Sequence, residues 1–312
     1  MHDAAVTLRS HSNRYAEMAT KRLPSSVADL PLELMRDLIS FTVVSADQRP
    51  SVMILSQVSQ RFRLAVLDLS WLFTEADWNN WPSPFLDLWC QRARIQPLTV
   101  YLTSPTVRRL SCGVAPELKA LLESSSQRWG TLRLNIDSAI YSTRFVGELL
   151  HHSFPSLQTL NLGCNYHSSV ATKAFHLQID RFPLLRALHL DGIWPDFSDP
   201  ASVTELAFNF GYTEDWSRRL HIVQSCHLIQ RLTVDFRRCN LHSPFVFPDP
   251  ATKAILPSLI YLELREIWAV TADVISQFLC CCDVPNLESL VIRSIIFTAG
   301  VSEDLCQSMV RS

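Results

Sequence analysis

The sequence predicts an α/β protein: a short all-helical N-terminal segment, then a repeat solenoid with parallel strands on a concave face and helices on a convex one. Three observations predict it. A frame of the form apolar-x-x-Leu-x-apolar recurs from residue 95 onward, its middle residue falling at 98, 132, 160, 188, 206, 232, 262 and 290. The mean spacing is about 27 residues, the length of one strand plus a return segment. Within a copy such as Leu160-Asn161-Leu162, the alternation puts two leucines on one face of a strand and the polar residue on the other. Finally, Phe154-Pro155, Phe182-Pro183, Leu256-Pro257 and Val284-Pro285 each precede a copy. A proline there ends a preceding helix and leads the chain into an extended strand.

Composition narrows the function classes. Of 312 residues, 47% are apolar and 19% charged, so the chain forms a core. A net charge of −2 with both signs interspersed argues against nucleic acid as a partner. Only 7 glycines disfavour phosphate-binding loops. No apolar run approaches the ~18 residues of a membrane span, and residues 1–22 lack the apolar segment of a secretory signal. Residues 1–27 read as a disordered leader; its Arg9, Arg14, Lys21 and Arg22 also fit a basic transit peptide. The nine cysteines include no C-x-x-C pair and imply free thiols in a reducing compartment, cytoplasmic or nuclear. Three adjacent residues, Cys280, Cys281 and Cys282, cannot all point at one ion, and they read as small apolar side chains. No metal or cofactor is expected.

At the N-terminus, Leu34, Met35, Leu38 and Ile39 recur at helical spacing, as do Leu55, Val58, Phe62 and Val66. Pro31 sits where a helix starts, Glu33 suits a first turn, and Pro50-Ser51 marks a second helix entry. About 45 residues are too few to bury a full core alone, so these apolar faces call for a partner or for the rest of the chain. Leu30-Pro31, the run Ser56-Gln57-Val58-Ser59-Gln60-Arg61-Phe62-Arg63, and Trp71-Leu72-Phe73 occur here in a telling order. On these motifs residues 28–75 resemble an F-box, the adaptor-binding module of cullin-type ubiquitin ligases. The resemblance implies a three-helix unit that docks on an acidic adaptor protein. It puts the partner-facing positions at Leu30, Pro31, Leu34, Leu38, Val58, Ser59, Phe62 and Trp71. Phe62 stands where the family more often has tryptophan.

Residues 76–127 read as linker helices and a first irregular repeat. Pro84 to Arg92 resembles the linker helix of fungal-type F-box proteins, and Leu118 to Ser126 is a second helix. Residues 128–312 carry the repeats. Leu157 to Asn165 matches L-x-x-L-x-L-x-x-N throughout, and the frame fits again at Leu185, Leu259 and Leu287. Weaker copies start at Ile95, Trp129, Val203 and Ile229, the one at Val203 after a step of only 18 residues. This region resembles the leucine-rich repeats that commonly follow an F-box. Helices are expected over Phe145–His151, Val170–Phe182, Trp216–Cys226 and Ala272–Cys282, with Glu303–Val310 as an end cap.

In such a solenoid the outward strand residues form the concave surface. By frame these include Arg133, Asn135, Asn161, His189, Asp191, Asp235, Glu263, Arg265 and Arg293, the expected target-binding set. The same polar row also suits a plain solvated sheet face. Trp194, Phe197, Phe208, Phe210, Tyr212 and Trp216 form an aromatic cluster that reads as core or as interface anchors. No G-x-S-x-G, H-E-x-x-H or P-loop appears. The pairs His189/Asp191 and Cys164/His167 lack the further groups catalysis needs. The chain is therefore expected to be no enzyme. It is expected to be the substrate receptor of an adaptor–cullin ubiquitin ligase, with an unidentified protein target and no membrane or nucleic-acid partner. The alternative is a repeat scaffold whose N-terminal helices merely cap the solenoid, burying Leu34, Val58 and Phe62.

Overall fold

Three short helices are placed by the apolar spacing at the N-terminus: α1 (Leu32–Val43), α2 (Gln48–Val58) and α3 (Gln60–Asp68), then a 3-10 turn over Ser70–Phe73. In the computed structural model, residues 30–43, 48–77, 83–103, 116–136, 139–164, 176–193, 195–198, 202–209, 222–236, 253–265 and 272–293 are described. The expected leader, the Glu303–Val310 helix, His167, Trp194, Phe210, Tyr212 and Trp216 lie outside them. By its internal contacts the chain divides into two compact units, Met1–Phe73 and Thr74–Ser312.

In the first unit α3 packs chiefly on α2 and then on α1. Met35, Ile39 and Val43 of α1 are buried with Val52, Phe62, Ala65 and Val66. Ser59 is the N-cap of α3: its hydroxyl accepts from the Phe62 amide at 3.2 Å, satisfying one of the amides that a helix start leaves open. Arg61 Nη2 donates to the Leu30 carbonyl at 2.9 Å, tying the entry to α1 against α3. An Arg36–Asp68 ion pair joins the same two helices.

The second unit is built on a sheet of nine strands: β1 (Glu75–Asp77), β2 (Leu98–Thr103), β3 (Trp129–Ile136), β4 (Thr159–Cys164), β6 (Ala187–Asp191), β8 (Glu205–Asn209), β9 (Arg231–Asp235), β11 (Tyr261–Arg265) and β13 (Ser289–Ile292), in that spatial order. Every neighbouring pair is parallel, an arrangement that needs the long returns between consecutive strands. One register row runs Val100, Leu132, Leu160, Leu188, Leu206, Leu232, Leu262, Leu290. Six of its leucines, from Leu132 to Leu262, are at most 1% exposed, and each such burial contributes about 1.5–3 kcal/mol. The short step at Val203 is a genuine strand, because Leu188 pairs directly with Leu206.

Three expectations need correction. The first anchor is Val100 and not Leu98: Val100 meets Leu132, and beyond an irregularity between Leu98 and Thr99, Leu98 meets Trp129. Residues 176–182 are not helical but form β5 (His176–Gln178), paired with β7 (Asp196–Ser198), and a 3-10 turn. Phe182 precedes Pro183, which disfavours helical backbone there. The prolines do not start strands. Pro155, Pro183 and Pro257 each take the second position of a β-turn closed by the amide of Leu157, Leu185 or Leu259, with bonds of 2.9–3.2 Å, and Val284 to Leu287 repeats it. That position favours proline's fixed φ. The strand begins four residues after each proline, and Cys226 to Ile229 makes the same turn without one.

The returns supply the rest of the core. Helices α4 (Ser83–Arg92), α5 (Pro116–Ser125), α6 (Ala139–Leu150) and α7 (Ala272–Cys280) bury Leu86, Leu121, Val146 and Phe278 respectively. A second parallel pair, β10 (Ala254–Ile255) with β12 (Cys282–Asp283), replaces the end of the helix expected to reach Cys282. The buried rings of Trp129, Phe154 and Phe182 follow one another at 5.3 and 5.8 Å, the last two stacked. The Trp129 indole N–H donates to Ser125 Oγ at 2.9 Å, and that hydroxyl donates to the Leu121 carbonyl. Replacing Ser125 by alanine strands a fully buried donor. The expected cost is about 1–3 kcal/mol by urea denaturation, with little change in slope.

Candidate functional site

Two surfaces carry the residues singled out by sequence. On the helical unit, apolar positions that looked like one face divide into two. Met35 and Ile39 point into the core, whereas Leu34, Leu38 and Phe41 stand outward, 46%, 39% and 87% exposed. The spacing i, i+4, i+7 places these three along one side of α1. Ile54 and Val58 do the same on α2. Seven of the fourteen exposed large apolar side chains among the described residues fall between Leu34 and Leu64, so the apolar exposure is concentrated and not scattered.

The expected adaptor-facing positions are not alike. Leu34, Leu38 and Val58 are exposed, as is Pro31; Leu30, Ser59 and Trp71 are half-buried. Phe62 is the correction: it lies inside the unit at 6% exposure and does not belong to the outward surface. Its amide is held by the Ser59 cap, and the α3 turn that follows directs the ring inward with Ala65 and Val66. Phe41 and Ile54 were missed because the outward stripe is only separable once the buried one is known.

The second surface is the open face of the sheet. Residues alternate along each strand, so the leucine row on one side dictates a polar row on the other. Tyr101, Arg133, Asn161, His189, Ala207, Thr233, Glu263 and Val291 stand in register, and Asn209, Asp235 and Arg265 form the next row. A cleft of about 500 Å³ crosses this face, its lining running from Arg133 to Arg265 over six strands and including Asn135, Asn161, His189, Asp191 and Asp235. Gly163 and Ala207 hold it open, having no bulk to fill it. Glu205, Arg231 and Tyr261 share the face at the strand starts, where the frame began one alternation too late.

Charge on this face is organised in contacts. Arg133 lies over the Tyr101 ring at 5.2 Å and Arg231 over Tyr261 at 4.6 Å. Asp235 and Glu263, expected to be exposed, are 9% and 3% exposed. Glu263 is covered by two arginines: Arg265 Nη2 donates to Oε2 at 2.8 Å, and Arg293 Nε sits 2.7 Å from Oε1 as an ion pair off the hydrogen-bond axis. The Arg265 hydrogen bond foremost holds the Glu263 carboxyl below its ordinary value of 4.5. The folded pKa is depressed, so the ionised pair stabilises the fold above the unfolded pKa and loses that contribution as pH falls through the lowered folded value. Glu263→Gln should therefore flatten the acid limb of stability where pH falls below the ordinary carboxylate range. It should cost about 1–3 kcal/mol at neutral pH, because both arginines remain solvated; urea titrations at a series of pH values check both.

His189 has its pKa lowered, first by burial and then by the charges of Arg133 and Arg265, against a raising effect of Glu205 at 3.9 Å. It shares the face with Asp191, and among the described residues nothing completes a catalytic set there. Cys164 points to the buried face. Burial pushes the Cys226 and Cys282 thiols up to about 12 and the Cys90 thiol up to about 11, as suits small apolar core residues; Cys280, in contrast, is exposed. Phe208 is core, 2% exposed. Among the described residues no group of His, Cys, Asp and Glu could hold a metal ion, and no helix is long and apolar enough to cross a membrane. No protein-family model matches the chain, and no curated protein matches its sequence.

Proposed function

We propose that the chain is the substrate-recognition subunit of an adaptor–cullin–RING ubiquitin ligase. Its N-terminal helices would serve as an F-box, and the parallel-stranded unit as a leucine-rich repeat solenoid whose polar concave face holds a protein target. The observation that carries the reading is the outward apolar stripe of the helical unit, Leu34, Leu38 and Val58, at positions where the F-box resemblance puts the adaptor. A large apolar side chain left in water on so small a unit has a ready use in docking. On this reading the protein is no enzyme, needs no cofactor, and works in the cytoplasm or nucleus.

The second reading is a scaffold capped by its helices. A cap would bury Leu34, Val58 and Phe62 together. Within the helical unit itself Phe62 is buried, whereas Leu34 and Val58 stand outward.

Binding of the full chain to a purified F-box-binding adaptor decides between them. Leu34→Asp/Val58→Asp alters two exposed side chains, so helicity should persist while affinity falls about 100-fold or more, two interface anchors being lost. A folded wild-type chain that fails to bind any such adaptor would remove the ubiquitin reading and put the scaffold first.

A further inference from the structure

At the β11–β13 end of the open face, charge is sorted by depth. Two carboxylates lie beneath: Glu263 is 3% and Asp235 9% exposed. Two guanidinium groups lie on top, the side chains of Arg265 and Arg293 being 46% and 61% exposed. Asp235 stands opposite Arg265 in the register and has partners of its own, so these four charges sum to zero. At the strand starts Arg231 covers the Tyr261 ring and Glu205 stands opposite it in register, again one charge against one. Net charge therefore selects nothing here. Access does: Glu263 and Asp235 are closed to a partner, and the polar groups left open on Arg265 and Arg293 are N–H donors.

Most of those donors are unused. Arg265 gives one, from Nη2 to Glu263 Oε2 at 2.8 Å. Arg293 Nε stands 2.7 Å from Oε1 without a hydrogen bond to it. A guanidinium accepts nothing and donates along more than one edge of a planar fork, a shape that matches a carboxylate. Coulomb attraction falls with distance, so an anion laid on top meets the cations first and the carboxylates beneath more weakly. Glu263 also holds both side chains in place beforehand, which removes part of the ordering cost of binding. With no surplus positive charge, the site matches a singly charged carboxylate better than a phosphoryl group of nearly two charges.

We propose that the exposed N–H groups of Arg265 and Arg293 form a subsite for one carboxylate, an aspartate or glutamate side chain of a target segment laid on the open face. The chemistry of the subsite stands on the geometry; that its carboxylate belongs to a protein target rests on the receptor reading.

The test uses the full chain isotopically labelled at its arginine nitrogens only, with the Nε–H signals assigned by single substitutions. The probes are N-acetyl-glutamate N-methylamide and its glutamine, lysine and phosphoserine counterparts, titrated at constant ionic strength. The Arg265 and Arg293 signals should respond to the glutamate probe at about tenfold lower concentration than to the glutamine probe, and not to lysine. Arg133 and Arg231, exposed but each over a tyrosine ring, are the internal control and should move less. Arg293→Gln, at an exposed position, should weaken the Arg265 response about fivefold with the circular dichroism unchanged. Equal response to glutamate and glutamine, equal shifts at all four arginines, tighter binding of the phosphoserine probe, or no shift at all overturns the proposal. Adaptor binding on the same preparation separates the two failures. Adaptor bound without a carboxylate response sinks the subsite alone, and a carboxylate response without adaptor sinks the receptor reading alone.

Discussion

Phe182→Ala should lower the stability of the sheet unit by about 3–5 kcal/mol, the usual loss for truncating a buried phenylalanine. Phe182 is fully buried, stacked on Phe154 at 5.8 Å, and Phe154 in turn packs on Trp129. The substitution removes the side chain's own burial and half of a stacked pair, the latter worth about 0.5–1.5 kcal/mol beyond area. It also loosens a junction: the Phe182 carbonyl closes the turn to Leu185, and the neighbouring Arg181 carbonyl accepts from the Phe154 amide. Denaturant titration of the full chain should show the unit's midpoint fall. Leu184→Ala, one residue past Pro183 and 47% exposed, is the matched control and should change it by well under 1 kcal/mol.

Phe62→Ala should unfold the N-terminal helical unit outright. The expected loss is again about 3–5 kcal/mol, but here it falls on a unit with few buried side chains, and small domains have little stability to spare. Loss of far-UV helical signal and early proteolysis between Leu30 and Phe73 would report it. This outcome separates Phe62 from Leu34 and Val58. On the proposed receptor reading, a substitution at Phe62 should abolish adaptor binding by destroying the surface, and substitutions at the other two by altering it. If Phe62→Ala left helicity unchanged, the ring would have to be outside the core.

The sheet was legible in detail because a parallel strand buried on one face states its period in leucines. The row from Leu132 to Leu262 is the sequence frame read across the strands. It failed at Leu98 because Leu98, Val100 and Leu102 are all buried in alternation, so local periodicity fits an anchor at any of them. It also failed between strands. Over 176–182 the apolar residues fit both a helix and a short strand, and what decides is β7 some twenty residues on, which no local pattern shows. Leu290 fits the frame yet is 40% exposed, because it lies on β13, the outermost described strand on that side. The candidate surfaces were half legible. Alternation predicts which residues face outward, but not that Arg265 and Arg293 close over Glu263 or that Phe62 turns inward, which depend on side chains meeting across distant segments.

Each inner strand of the main sheet is hydrogen-bonded to the one before it and the one after it. Within the sheet, interaction therefore passes along the stack as along a zip fastener, strand by strand. A lesion at β8 weakens its hold on β6 and β9 directly and reaches β2 only through every strand between. The same geometry lets the open face vary one strand at a time: a change of outward residue at His189 or Thr233 leaves the leucines behind it undisturbed, so the surface can change while the backbone that displays it stays the same.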